Sequence, residues 1–386
     1  MKLLNIIAST NPEHGGVIEW VRLFSIHATQ LGHTIEIASM DNPDDPWVTD
    51  SPLKVHAFGQ HFHNFYARGL KQWIKEHRSN YDAIIAHGLW RYPSFATWLA
   101  LKYTDTPYFV YTHGMLDPWF KKNAPLKHAA KWLYWPWTDY RALRDAKGVI
   151  FTCEQERIKA RESFWLYRSR ELVATIGIEA AAADEAHQLE TFYHQFPETR
   201  NQRLLLFLGR IHPKKGCDLL INSFARVASQ DKQLRLVIAG PDNTSWVPAL
   251  KKLAKENHVA ERITWTGMIK GDTKAGAFRA AEVFVLPSHQ ENFGIAVVEA
   301  MAHGTPVIIS DKVDIYKEIQ RDSAGLVHRD NLTGTERALL EWLQLSAQER
   351  NFMAERALNC FKQRFEVVHA TQALLDLIQR KTNEPS

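Results

Sequence analysis

Short apolar runs recur along this chain, most of them followed by a turn residue and then by a segment with helical spacing. In the first half they cover residues 3–8, 34–38, 83–86, 108–111, 149–152 and 172–176. In the second half they cover 204–208, 234–239, 263–265, 283–286, 307–310 and 325–327. Runs this short and this apolar, alternating with amphipathic helices, describe parallel strands buried on both faces. Two series of six strands predict an α/β protein with two doubly wound domains rather than one barrel. Pro306 stands just before one run, at a strand start where a missing N–H is tolerated.

The break between the series is 179–203, Ala-rich and then polar, which predicts a linker with a helix. The domains expected are therefore 1–178 and 203–361. Apolar residues at helical spacing over 355–377, with no strand after them, predict a C-terminal helix. The chain from about 362 to 386 is expected to pack back on the first domain. A length of 386 residues fits two or three domains, and 45% hydrophobic with 23% charged residues excludes disorder and collagen. The net charge of +4 is small, and the basic excess lies in residues 1–178. No nucleic-acid partner is expected from it. Cys153, Cys217 and Cys360 form no CxxC pair, which fits a reducing compartment. No apolar run approaches the roughly 18 residues of a membrane span. The N-terminal apolar stretch is short and interrupted at Asn5, so it predicts a first strand rather than a signal peptide. A cytoplasmic, soluble protein is expected.

The sharpest local signal is Leu208-Gly209-Arg210-Ile211-His212-Pro213-Lys214-Lys215-Gly216. A buried strand ends at a glycine, then presents Arg210 and Lys215 before a helix. Cations at the carboxyl end of a strand, beside a helix N-terminus, favour an anionic ligand. The planar fork of Arg and the compact charge of Lys suit a diphosphate. A solvated basic turn has the same composition. The second signal is Glu291-Asn292-Phe293-Gly294 with Glu299 eight residues after Glu291, following the 283–286 run. With the helix starting near Phe293, the two carboxylates are not adjacent, which disfavours a glycosidase-like acid/base pair. Two acceptors gripping separate hydroxyls of an extended ligand fit better. The amides of Phe293, Gly294 and Ile295 can meet a phosphate or a hydroxyl between them. The plainer reading is that Glu291 complements the helix dipole and Glu299 is a surface residue.

Gly-Arg-x4-Lys-Gly followed by Glu-x7-Glu, each on a strand-to-helix turn, resembles the retaining glycosyltransferases of family 4. That resemblance implies the GT-B architecture, two Rossmann-like domains facing across a cleft, with a nucleotide-diphosphate sugar as co-substrate and no separate cofactor. It implies that Arg210 and Lys215 bind the donor diphosphate and stabilise the leaving nucleotide. Glu291 would bind the transferred sugar, helped by the amides around Asn292, Phe293 and Gly294, and Glu299 the ribose. Thr266-Gly267-Met268-Ile269 matches the turn that meets the base. In the first domain, Pro12-Glu13-His14-Gly15-Gly16-Val17 resembles the family's glycine turn, with Gly16 at the point of close approach. Thr112-His113-Gly114 matches the position of its active-site histidine, and His87 is a weaker candidate for the same cleft. The family often has Pro-Asn-Gly where this chain reads Ala174-Thr175-Ile176-Gly177-Ile178. There is no Asp-x-Asp to hold a cation, so the positive charge is expected from Arg210 and Lys215 with no metal.

Residues 115–141 mix Trp119, Phe120, Trp132, Tyr134, Trp135, Trp137 and Tyr140 with Lys121, Lys122, Lys127, Lys131 and Arg141. Such a segment suits a membrane interface, and equally a helix packed on its own domain with lysines reaching outward. His113-Gly114-Met115-Leu116-Asp117-Pro118-Trp119 resembles the subset of the family that builds bacterial exopolysaccharide or O-antigen. That implies a saccharide or lipid-linked acceptor and peripheral contact with the inner membrane face. His56, His61 and His63 are expected to be solvated loop histidines rather than metal ligands. A sugar-nucleotide epimerase of the same fold is the alternative; a phosphorylase or a non-catalytic binder is further off.

Overall fold

The computed structural model describes residues 1–59, 66–182 and 184–384, apart from the side chains of His14, Phe120 and Lys122. Among these residues the chain forms two parallel sheets. The first contains β1 (Lys2–Ile7), β2 (Thr34–Ser39), β3 (Lys54–Ala57), β4 (Ala83–His87), β5 (Tyr108–Tyr111), β6 (Gly148–Phe151) and β7 (Glu171–Val173). Their order is β3-β2-β1-β4-β5-β6-β7. The second contains β8 (Arg203–Leu208), β9 (Leu234–Ala239), β10 (Ile263–Gly267), β11 (Ala281–Leu286), β12 (Val307–Ser310) and β13 (Gly325–His328), in the order β10-β9-β8-β11-β12-β13. Every pairing is parallel. Central strands such as β1, β4 and β12 are buried almost throughout, as strands covered by helices on both faces must be. Each sheet reverses its winding beside its first strand: between β1 and β4 in one, between β8 and β11 in the other. These are the switch points at which loops diverge and leave a crevice.

Residues Met1–Glu179, rejoined by the chain from Glu366, form one compact unit, and Ala180–Phe365 form the other. Four expectations need correction. β3 was missed because Lys54-Val55-His56-Ala57 has no apolar run; it is an edge strand, only half-buried. It also removes His56 from a loop: His56 sits on β3, its Nε2 2.7 Å from Glu36 Oε2, while His61 and His63 lie outside the described residues. The second unit begins at Ala180 rather than Arg203. Its helix Glu185–Gln195 packs on the helix Gly271–Ala280, where the absent side chain of Gly276 lets the Gln188 carbonyl come close. Finally, 355–377 is not one helix. The helix Ala347–Cys360 runs into a wider π-type turn at Phe361–Phe365, and a separate helix, Val367–Asn383, packs on the helix Gly16–Gln30 of the first unit.

Gly177 is the residue that this chain keeps where the family often has Pro-Asn-Gly. A Cβ there would lie 2.6 Å from Val367 Cα and 2.8 Å from Ala370 Cβ. Glycine is kept for the close approach of the C-terminal helix.

Candidate active site

In the second unit the loops leaving β8 and β11 meet at the switch point. Pro213–Lys215 form a single 3-10 turn, capped by His212 Nδ1 accepting from the Lys214 amide at 3.1 Å. The loop after β11 is tied to this turn. The His289 amide donates to the Lys214 carbonyl at 2.7 Å, and Ser288 Oγ donates to the same oxygen at 2.9 Å. Gly216 has φ 69°, and a Cβ on it would stand 2.3 Å from the Pro287 carbonyl oxygen. No other residue fits between these loops without moving one of them.

The result brings Lys215 and Glu291 into direct contact as an ion pair, each about four-fifths shielded from solvent. Burial, and then the nearby Arg210 guanidinium, push the Lys215 ammonium down to about 8. Arg210 itself is exposed and makes no side-chain hydrogen bond or ion pair among the described residues. Glu291 is held by its backbone as well. Its amide donates to the Lys312 carbonyl and its carbonyl accepts from the Asp314 amide, both at 3.0 Å. The loop after β12 therefore sets where this carboxylate sits, and sequence reasoning missed it.

Gly294 follows in the left-handed region, φ 77°, and opens the helix Ile295–Ala302. The amides of Phe293, Gly294 and Ile295 have no acceptor among the described residues. The Phe293 side chain is buried against Phe365, ring centroids 5.6 Å apart, so only its backbone is available to a ligand. Glu299 lies on the same helix with Oε1 2.6 Å from Lys274 Nζ. Lys274, on the helix Gly271–Ala280, is a third cation, outside both motifs. Ile269 is buried just past β10, after Gly267 at φ 65°, whose carbonyl accepts from the Gly240 amide at 2.8 Å. Arg210, Lys215 and Glu291 thus form one cluster, and Glu299 forms a separate pair further along its helix.

In the first unit, the turn after β5 carries His113 with φ 50° and Gly114 with φ 78°. A non-glycine residue in that region costs on the order of 1 kcal/mol and persists only where its surroundings enforce it. Here the enforcing group is Glu156, buried on the helix Glu154–Ala160. One of its oxygens accepts from Thr112 Oγ1 at 2.6 Å and the Gly114 amide at 2.5 Å. The other accepts from the Thr152 amide at 2.7 Å and Thr152 Oγ1 at 2.6 Å. Nothing in the sequence distinguishes Glu156 from its neighbour Glu154.

His113 Nε2 lies 3.0 Å from His87 Nδ1, and His87 Nε2 lies 3.0 Å from Asn5 Oδ1. Burial pushes His87 down to about 3, and burial and then His87 hold His113 well below the usual imidazole range, so both are neutral at neutral pH. His113 also stacks on Tyr111, centroids 4.2 Å apart. In the glycine turn, Gly15 rather than Gly16 takes the positive φ, 101°, and Gly16 is the first residue of its helix. Asp41 secures the start of that turn, accepting from the Thr10 amide at 2.6 Å and Ser9 Oγ at 2.5 Å. Among the described residues no group of three or more His, Cys, Asp or Glu is placed to hold a metal ion, and no helix is long and apolar enough to cross a membrane.

Comparison with known proteins places both halves. The family model described as Glycosyl transferase 4-like domain matches residues 15–177, and that for Glycosyl transferases group 1 matches residues 190–359. Mannosylfructose-phosphate synthase of Agrobacterium fabrum is 25% identical over 79% of this chain and 73% of its own length. An uncharacterized glycosyltransferase of Methanocaldococcus jannaschii is 31% identical, and the match spans 37% of each chain, well short of its whole length. Among solved structures, an Anabaena HepE complex with UDP-glucose shares the fold. Its TM-score is 0.74 at 17% identity, over 98% of this chain and all of that one.

Proposed function

Because this chain belongs to the family 4-type glycosyltransferases of GT-B fold, with two Rossmann-like domains, we propose that it is a retaining hexosyltransferase acting on a nucleotide-diphosphate sugar. The observation that carries this reading is the Arg210–Lys215–Glu291 cluster at the β8/β11 switch point. Arg210 and Lys215 bind the donor diphosphate; Glu291 and the amides of Asn292, Phe293, Gly294 and Ile295 bind the sugar. Glu299 takes the ribose, exchanging Lys274 for its hydroxyls, and the backbone at Ile269 meets the base. Gly16 and His113 serve the same reaction from the first unit.

The bond from the anomeric carbon to the donor phosphate oxygen breaks, and its electron pair stays on the phosphate. The acceptor oxygen bonds to the anomeric carbon on the same face, and its proton passes to the departing phosphate. Fixed cations stabilise the charge that grows on that phosphate, an interaction stronger in the transition state than in the ground state. This reading assigns that work to protein cations without a metal, so EDTA should leave turnover unchanged.

The acceptor proposed is a saccharide, free or lipid-linked, in cell-surface polysaccharide synthesis. A pocket lined by Tyr66, Trp90, Tyr92, Phe95, Tyr134 and Asp139 supports a place for it on the first unit. Aromatic faces with a few polar groups are the usual lining of such a site. Leu126, Leu133, Trp137 and Trp165 are exposed, as is Lys127 next to Leu126 in the sequence, which supports reversible contact with an anionic membrane surface.

The test is a thermal-shift panel of nucleoside diphosphates and their sugar conjugates, followed by turnover of the best donor. A specific donor should raise the melting midpoint by mass action. Lys215→Ala and Glu291→Ala should each lose about 2 kcal/mol or more of transition-state stabilisation, roughly thirtyfold in kcat/KM. Near-normal turnover in both variants would refute the site.

A further inference from the structure

The hydrogen bonds behind His113 have a direction. Ser25 Oγ donates to the Val21 carbonyl at 2.6 Å, so its single proton is spent. The Asn5 amide nitrogen lies 3.4 Å from that oxygen and donates to it, which turns Asn5 Oδ1 toward His87. An amide oxygen only accepts, so His87 carries its proton on Nε2. Neutral His87 then has a bare Nδ1, and a bare Nδ1 3.0 Å from His113 Nε2 requires the proton to sit on His113 Nε2. In neutral His113, Nδ1 is left as a lone pair. It has no partner among the described residues, and His113 as a whole is only partly buried.

We infer that Ser25, Asn5 and His87 are positioning residues that lock His113 as a hydrogen-bond acceptor at Nδ1, so that the group it receives is a hydroxyl and not an anionic oxygen. The inference about the hydroxyl rests on the transferase reading above; the tautomer does not. The relay accounts for a polar side chain, fully buried, in the middle of β1. A leucine there would satisfy the core and leave His87 Nε2 without an acceptor.

Nitrogen-15 NMR of the full chain labelled at histidine reads the tautomer directly. Both rings should show a pyrrole-type Nε2 and a pyridine-type Nδ1 at neutral pH; an Nδ1–H or doubly protonated His113 would overturn the proposal. In Asn5→Leu, His87 loses its acceptor, its proton moves to Nδ1, and His113 should shift toward Nδ1–H. Turnover should fall at least tenfold with the melting midpoint unchanged or raised, which a purely structural role does not produce. An unchanged His113 signature in a folded Asn5→Leu would refute the relay. Should that variant fail to fold, Ser25→Ala frees the amide to flip and should give a mixture of tautomers; a single unchanged tautomer would count against it. With UDP-glucose as probe, the His113 Nδ1 resonance should move upfield, and with UDP alone it should stay. Movement with UDP alone would overturn the hydroxyl assignment while leaving the donor site intact.

Discussion

Lys215 is poised to lose its charge within the working range of an enzyme. Burial and then Arg210 bring it down to about 8. Its proton is bound below that value and released above it, so the cation that meets the diphosphate disappears as the pH rises. The kcat/KM profile, which reports the free enzyme, should therefore fall with an apparent pKa at or above about 8. Lys215→Arg keeps its charge at any accessible pH and should flatten that limb, at a lower plateau because the fork of Arg does not fit the space of an ammonium. A limb that stays in place in Lys215→Arg would assign it to another group. At this scale the motif residues were readable, since Arg, Lys and Glu at strand ends have few structural uses. Their pairing was not. Nothing in the spacing says that Lys215 touches Glu291, or that Lys274, from a different helix, occupies Glu299.

Elements were readable where burial enforces a pattern. All six strands of the second sheet and five of the first correspond to apolar runs, because a strand covered on both faces buries most of its side chains. The sixth run, at 172–176, places β7 only approximately. β3 escaped because an edge strand keeps solvent on one side and can carry Lys54 and His56. The helix Glu185–Gln195 was seen, but its partner was not, since its docking depends on the missing Cβ of Gly276, which would stand 2.0 Å from the Gln188 carbonyl oxygen. Gly276→Ala gains helix propensity of up to about 1 kcal/mol yet should lose on the order of 1–3 kcal/mol through that clash. Thermal unfolding should show a net loss; a gain would mean that the two helices separate without cost.

At the level of the whole chain, the first unit is completed by residues that follow the second unit in the sequence. The helix Val367–Asn383 buries Val367, Ala370, Leu374, Leu375, Leu377 and Ile378. Each large side chain among them contributes about 1.5–3 kcal/mol relative to exposure. Ending the chain before Glu366 should lower the melting transition of the first unit and spare that of the second. Calorimetry that shows both transitions unmoved would remove this helix from the first unit's core. Hydrophobic period and turn chemistry are local, so the residues alone announced two wound sheets, their strand ends and the charged loops upon them. Direction is not local. Asn5 stood out in the sequence only as a polar break in an apolar run, and Glu156 did not stand out at all. Their roles arise because β1, β4 and β5 lie side by side and a helix after β6 reaches back to the turn after β5. Hydrogen bonds between residues 82 and 26 positions apart exist only once those strands have paired, and it is they that decide which nitrogen of His113 is bare.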